Sequence, residues 1–194
     1  MAKILLITPA DLYAATPLTE QVDQTLISGA CVLAQDKYAE VYLGTNLYQK
    51  ILADVEDGSV TGAYETLLYD YLQKMLVWWA YVELMPNLVV KVDNGGLTIR
   101  NGEDFSAATR DQYRHNQNQA MTNAQMYTQR MIDWLCYNGN NVPEYLTNTN
   151  NQISPKSRVY SENSMYFSDG NTSMSNRDLR YPYWDDMLDK RYRR

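Results

Sequence analysis

Met75-Leu76-Val77-Trp78-Trp79-Ala80-Tyr81-Val82-Glu83-Leu84-Met85 is the most apolar run of the chain, and its reading decides the fold class. It falls well short of the roughly 20 residues that span a bilayer and it carries a carboxylate, so it reads as a buried helix. With the residues before it, the spacing predicts a helix over 61–85 that is apolar around much of its circumference. Such a helix belongs at the centre of a bundle. Pro86 is expected to close it.

Toward the N-terminus, Thr8-Pro9-Ala10-Asp11 has the order of a helix start: a capping hydroxyl, proline at the first helical position, and an acid in the first turn. A second helix is predicted from Thr19 to Leu43. Val22, Leu26, Ala30, Leu33, Lys37 or Tyr38, and Val41 recur there at spacings of three and four, and Gly44 ends it. Leu47, Tyr48, Ile51, Leu52 and Val55 predict a shorter amphipathic helix that stops at Gly58. The opening Met1-Ala2-Lys3-Ile4-Leu5-Leu6-Ile7 is too short for a signal peptide core.

Toward the C-terminus, Leu88–Val92 and Leu97–Arg100 are β-rich runs joined by Asp93-Asn94-Gly95-Gly96, which predicts a β-hairpin over about 88–100. A last helix is expected over 106–137 on the stripe Tyr113, Gln117, Ala120, Ala124, Tyr127, Met131 and Trp134 or Leu135. Its first half, Arg110 to Gln119, is almost wholly polar and is expected to project from the core or to meet a wet interface. From Asn138 onward aliphatics thin out and no period persists. The fold class is therefore mainly α: four to five helices with one β-hairpin in a domain over 1–146, followed by an extended polar arm over 147–194. In the arm, arginines and Lys190 surround Tyr181-Pro182-Tyr183-Trp184. Tyr181, Tyr183, Trp184, Arg191 and Arg194 are the candidate partner-binding residues.

A formal net charge of -6 and a sequence pI of about 4.8 do not support a grip on nucleic acid phosphates by the chain as a whole. The balance of 17 Tyr and 4 Trp against 2 Phe favours aromatics with a polar tip, the kind enriched at protein interfaces. Cys31 and Cys136 both fall in predicted helices and are expected to be buried free thiols. His115 is the only histidine, which excludes a triad or metal site built on two. The pairs Glu56-Asp57, Glu103-Asp104 and Asp185-Asp186 fall at helix ends or in the arm, where a solvated carboxylate is the ordinary case. Trp78-Trp79 suits core or a subunit contact better than a ligand box, and Asp169-Gly170-Asn171 suits a turn better than a calcium loop. No nucleotide-binding glycine loop and no nucleophile elbow occurs. Catalytic, cofactor-binding and metal-binding residues are accordingly assigned to none, and the expected class is a non-catalytic protein that binds other proteins.

Thr8-Pro9-Ala10-Asp11-Leu12 followed by a helix from Val22 that ends in Tyr42-Leu43-Gly44, then a hydrophobic helix, resembles the head-tail connector, or adaptor, proteins of tailed bacteriophages. Val92-Asp93-Asn94-Gly95-Gly96, the Tyr/Gln/Asn-rich helix and Pro143-Glu144-Tyr145-Leu146 are similar to neck ring proteins of crAss-like Bacteroidetes phages. The resemblance covers residues 4–146. It implies a virion protein, made in the host cytoplasm, that assembles with itself into a ring of about twelve subunits under the portal. It also implies portal protein and the next neck or tail ring as partners, DNA passing through the channel without specific recognition, and no membrane. The alternatives are a stopper or tail-completion protein of the same neck, and a helical scaffolding or regulatory module that forms no ring.

Overall fold

The computed structural model describes residues 4–93, 96–99, 110–149, 151–157 and 159, with only the backbone described for 90–93 and 96–99. It is mainly α-helical. Helix α1 (Pro9–Ala15) begins as the sequence predicts. The Asp11 carboxylate accepts both the Thr8 N–H, at 2.7 Å, and the Thr8 hydroxyl, at 2.8 Å, which fixes the entry to the first turn.

Helix α2 (Gln24–Ala34) is capped at Asp23 and not at the expected Thr19, since Asp23 accepts the Thr25 N–H at 2.9 Å. The helix passes without a break through a π-helical turn, Gln35–Ala39, into α3 (Glu40–Leu43). That turn rotates the inward face. Before it the buried residues are Ile27, Ala30, Cys31 and Ala34, within it Gln35 and Ala39, and after it Tyr42 and Leu43. Leu33, expected on the buried stripe, is instead 39% exposed, because the inward side of α2 runs through Ile27, Cys31 and Ala34, round the helix from the Leu26-to-Leu33 line. Gly44, at φ +80, ends the rod in a conformation that residues with a Cβ rarely adopt. Helix α4 (Thr45–Glu56) follows at once.

Helix α5 (Ala63–Thr66), a second π-helical turn at Leu67–Leu72 and α6 (Gln73–Val89) make another continuous rod. It is the centre of the bundle: α1, α2 and α7 all pack on α6, and Leu67, Leu72, Met75, Leu76, Ala80 and Leu84 are fully buried along it. Each of the leucines and Met75 contributes about 1.5–3 kcal/mol when taken from water. Pro86 does not close this helix, which runs on to Val89. The proline lies on the exposed side within the last turn, where a missing N–H removes a single hydrogen bond. The backbone beyond Val89 pairs β1 (Val90–Asp93) with β2 (Gly96–Ile99) as an antiparallel ladder, Val90 opposite Ile99 and Asp93 opposite Gly96. Leu88 and Val89 are therefore helical, not strand.

Helix α7 (Arg110–Tyr137) returns antiparallel to α6. Ala120 meets Val82 and Met85, Thr128 meets Trp79, and Trp134 meets Tyr71 with ring centroids 5.3 Å apart. The stretch 106–109 expected at its start lies outside the described residues. Cys136 is exposed, against expectation, because it falls on the outer side of the last turn of α7 while Cys31 is buried.

The described chain beyond Asn138 packs on the body although few aliphatics remain in it. Val142 and Tyr145, around the 3-10 turn Pro143–Tyr145, are buried. Residues 147–149 and 151–157 lie on the body, held by hydrogen bonds to Val41, Thr45 and Asn46. A polar composition is compatible with this order because those residues spend their side-chain amides on hydrogen bonds to the body.

Candidate functional site

The interior polar groups are occupied in joining one rod to another. The Tyr38 hydroxyl donates to Glu83 at 2.8 Å and Lys37 pairs with the same carboxylate at 2.9 Å. The Tyr38 ring stacks on Trp79 at 4.0 Å, and the Trp79 indole N–H donates to the Thr128 hydroxyl at 2.9 Å, which in turn donates to the Ala124 carbonyl. This sequence of contacts ties the α2–α3 rod, α6 and α7 together. Burial, followed by the hydrogen bond to Glu83, raises the Tyr38 pKa far above the usual phenol range. Tyr64 donates to Glu144 at 2.6 Å, and burial with that bond pushes it up to about 12. Lys50 pairs with the buried Asp54 at 2.7 Å. These shifts extend the range over which each tyrosine stays neutral and donating further into alkaline pH.

Gln35 is fully buried at the start of its π-helical turn. Its amide oxygen accepts the Leu6 N–H at 3.0 Å, and its amide nitrogen donates to the Ile4 carbonyl at 2.9 Å and the Tyr48 hydroxyl at 3.1 Å. Gln73, just after the other π-helical turn, donates to the Leu6 carbonyl at 2.9 Å. The two wide turns thus place two glutamines on one extended N-terminal segment. Beside it is a cleft of about 240 Å³ lined by Leu5, Leu6, Asp11, Val60 and Tyr69. It is smaller than the roughly 300–1,000 Å³ of small-molecule sites, and its carboxylate is already engaged by Thr8.

A second long-range feature is a latch at Gly44. The first N–H groups of a helix lack partners within it, and glycine offers no side chain to cap them. In α4 the partners come from the far end of the compact unit. Thr45 N–H donates to the Ile153 carbonyl at 3.1 Å, and Asn46 N–H donates to Asn148 Oδ1 at 3.1 Å. The Thr45 hydroxyl accepts the Ile153 N–H at 3.0 Å, Gln152 bonds Asn46, and Lys156 N–H donates to the Val41 carbonyl at 3.0 Å. The returning chain passes so close that a Cβ on Gly44 would lie 2.7 Å from Asn148 Nδ2 and 3.0 Å from Pro155 Cδ.

On the outside, α7 presents a face of unusual chemistry. From His115 to Gln129 it contains no Asp, Glu, Lys or Arg, although much of it meets solvent. Asn116, Gln119 and Thr122 are exposed there, and so are Met121 and Met126, at 37% and 41%. Depletion of charge with exposed methionine is the composition of the centre of a protein interface.

The structure places His115 on this exposed face, Glu56-Asp57 exposed at the end of α4, and Trp79 in the core, with Trp78 half-buried edge-on to Tyr81 at 6.1 Å. Tyr181, Tyr183, Trp184, Arg191 and Arg194 lie outside the described residues, as do Glu103-Asp104, Asp169-Gly170-Asn171 and Asp185-Asp186. Among the described residues no group of three His, Cys, Asp or Glu side chains could hold a metal ion, and no helix is long and apolar enough to cross a membrane. The sequence reading did not single out the latch or the paired glutamines. The charge gap in α7 was visible as a run of letters, but only burial shows which of its residues face outward.

A protein-family model matches residues 40–155; it describes a family of unknown function, DUF6712. The matched stretch begins at the helix that Gly44 ends and finishes at Pro155, the two sides of the latch. No curated protein and no solved structure matches the chain.

Proposed function

We propose that this chain, which belongs to the DUF6712 family of unknown function, is a non-catalytic structural protein of the neck of a tailed phage. In this reading it is a protomer of a ring that joins portal to tail and continues the DNA channel, with portal, the next ring and further copies of itself as partners. One observation carries the binding role: the polar groups inside the body are spent on holding rods together, while the outer face of α7 is exposed, charge-free and bears methionines. The connector reading adds to this the resemblance of residues 4–146 in helix order and in Tyr42-Leu43-Gly44. A net charge of -6 suits a wall past which DNA slides without being held. Tyr181, Tyr183 and Trp184, with Arg191 and Arg194, are the proposed anchors on a neighbouring protein.

The test is the solution mass of the full chain, alone and mixed with its cognate portal, compared with a form ending at Tyr160. The shorter form must keep residues 147–157, since they cap α4. A large complex that forms on portal supports the connector reading, and its loss in the shorter form assigns the anchor to the C-terminal residues. Absence of association in both forms rejects the connector reading in favour of an independent binding module.

A further inference from the structure

Gly44 interrupts a helical hydrogen bond, and the returning chain replaces it on both sides. In an unbroken helix the Thr45 N–H would donate to the Val41 carbonyl, four residues back. Here the Thr45 N–H goes to the Ile153 carbonyl at 3.1 Å, and the Val41 carbonyl accepts the Lys156 N–H at 3.0 Å. The same stretch is fastened to the next residue, through the Asn46 N–H to Asn148 Oδ1 at 3.1 Å and the Asn46 side-chain amide to the Thr147 carbonyl at 2.9 Å. It also closes on itself: the Thr149 N–H donates to Gln152 Oε1 at 2.7 Å, and the Gln152 N–H to the Thr149 carbonyl at 2.9 Å. It is a strap with one defined seat.

What holds the strap over 147–157 is polar and close to water. None of its described residues, 147–149 and 151–157, is buried: Asn148, Gln152 and Pro155 are half-buried, and the rest are exposed, Ile153 at 45%. The two ends differ. On the near side Val142 and Tyr145 are buried, and on the far side Val159 packs half-buried against the core. Helix α4 does not depend on the strap for its place, because Leu47 and Ile51 are buried in the same core. A surface segment with few buried apolar contacts and solvent-exposed hydrogen bonds is the kind that opens locally, well below the cost of unfolding the whole.

We infer that residues 147–159 open as one unit while the rods stay folded, so that the chain leaves the body either at Val159 or at Tyr145. Opening releases residues 146–159, which add about 45–50 Å of chain at full extension. The added length gives Tyr181, Tyr183 and Trp184 a second, longer reach. A partner that holds them beyond the shorter reach shifts the strap toward its open state, by as much as it prefers that state. This use of the length rests on the connector reading above, whereas the opening itself does not.

The experiment is amide hydrogen exchange of the folded full chain, read residue by residue by NMR and, in complexes, on peptides by mass spectrometry. The N–H groups of Thr45, Asn46, Ile153 and Lys156 are expected to share one protection factor, about a hundredfold or more below that of Leu76 and Ala80 in α6. Ile51 in α4 should stay with α6, and the Tyr145 N–H, bonded to the Val142 carbonyl at 3.2 Å, should exchange more slowly than the strap. Asn148→Ala removes one hydrogen bond and should speed all four strap amides by a common factor of about 2 to 12, with α6 unchanged. Acceleration at Asn46 alone, four unrelated rates, or exchange of the four only together with α6 would overturn the inference. With cognate portal, faster exchange of the strap in the complex shows the added length in use. A complex whose strap exchanges as in the free chain leaves the connector reading standing and rejects the longer reach. Common opening in a chain that ignores portal keeps the strap and rejects the connector reading.

Discussion

Replacing Gly44 by alanine tests the latch directly. The backbone at φ +80 and ψ 160 lies in a region that is nearly exclusive to glycine, and holding a Cβ there costs about 1–3 kcal/mol. The new atom would also sit 2.7 Å from Asn148 Nδ2 and 3.0 Å from Pro155 Cδ, distances that cannot persist. If the returning chain yields, the α4 caps from Asn148 and Ile153 go with it, at about 0.5–1.5 kcal/mol each. The sum is about 2–6 kcal/mol, a large part of the roughly 5–15 kcal/mol by which domains are stable. Urea unfolding followed by circular dichroism measures it, with limited proteolysis showing new cleavage in 147–157. Asn148→Ala removes the nearest atoms, so the double variant should lose less than the sum of the singles, by about 1 kcal/mol or more. A Gly44→Ala change costing under about 1 kcal/mol, with additive behaviour and no new cleavage, would refute the reasoning.

Gln35→Ala strands the Leu6 N–H and the Ile4 carbonyl and should cost about 2–4 kcal/mol in urea unfolding, with earlier proteolysis of residues 4–7. Gln35→Glu should recover only part of that, because a carboxylate accepts the Leu6 N–H but cannot donate to Ile4. Thr128→Val keeps the volume but leaves the Trp79 indole N–H without its acceptor, so a loss of about 1–3 kcal/mol and a shifted Trp fluorescence maximum are expected. Alkaline pH should weaken the fold: burial raises the Cys31 thiol to about 11 from 9.0, and Tyr64 and Tyr145 to about 12 from 10.0. Groups raised on folding give their full stabilisation below the unfolded pKa and lose it as pH climbs through the folded one. The melting temperature should therefore fall from about pH 9 upward, with Cys31 contributing about 1.4 kcal/mol per pH unit between 9 and 11, and Cys31→Ala should delay the onset to about pH 10.

What the sequence disclosed was what is local. Thr8-Pro9 marked a helix start because proline and a nearby acid act within one turn. The inward side of α7 was legible because Ala120, Ala124 and Met131 keep one period along a regular helix. The stripe through Leu33 failed because Ile27, Cys31 and Ala34, on a neighbouring line of the same helix, face the core instead, and nothing in Gln35-Asp36-Lys37-Tyr38-Ala39 announces the π-helical turn that follows. Pro86 misled because its effect depends on how near the helix end it falls and which side it faces. Asn148 and Ile153 read as arm because polar residues with distant partners leave no local pattern. Of the candidate site, the charge gap of α7 could be seen in the letters, whereas burial was needed to tell its outward residues from its inward ones.

The capping of α4 by Ile153 has a consequence for how the protein is made. Thr45 must wait for a partner 108 residues downstream, an interval of about 5–20 s at ribosomal speeds of about 5–20 residues per second. Throughout that interval the first donors of α4 have water in place of their native partners. The distant contact also raises the mean sequence separation that slows folding in a helical protein. Maturation of the N-terminal part of each copy is thus tied to synthesis of the stretch through Ile153.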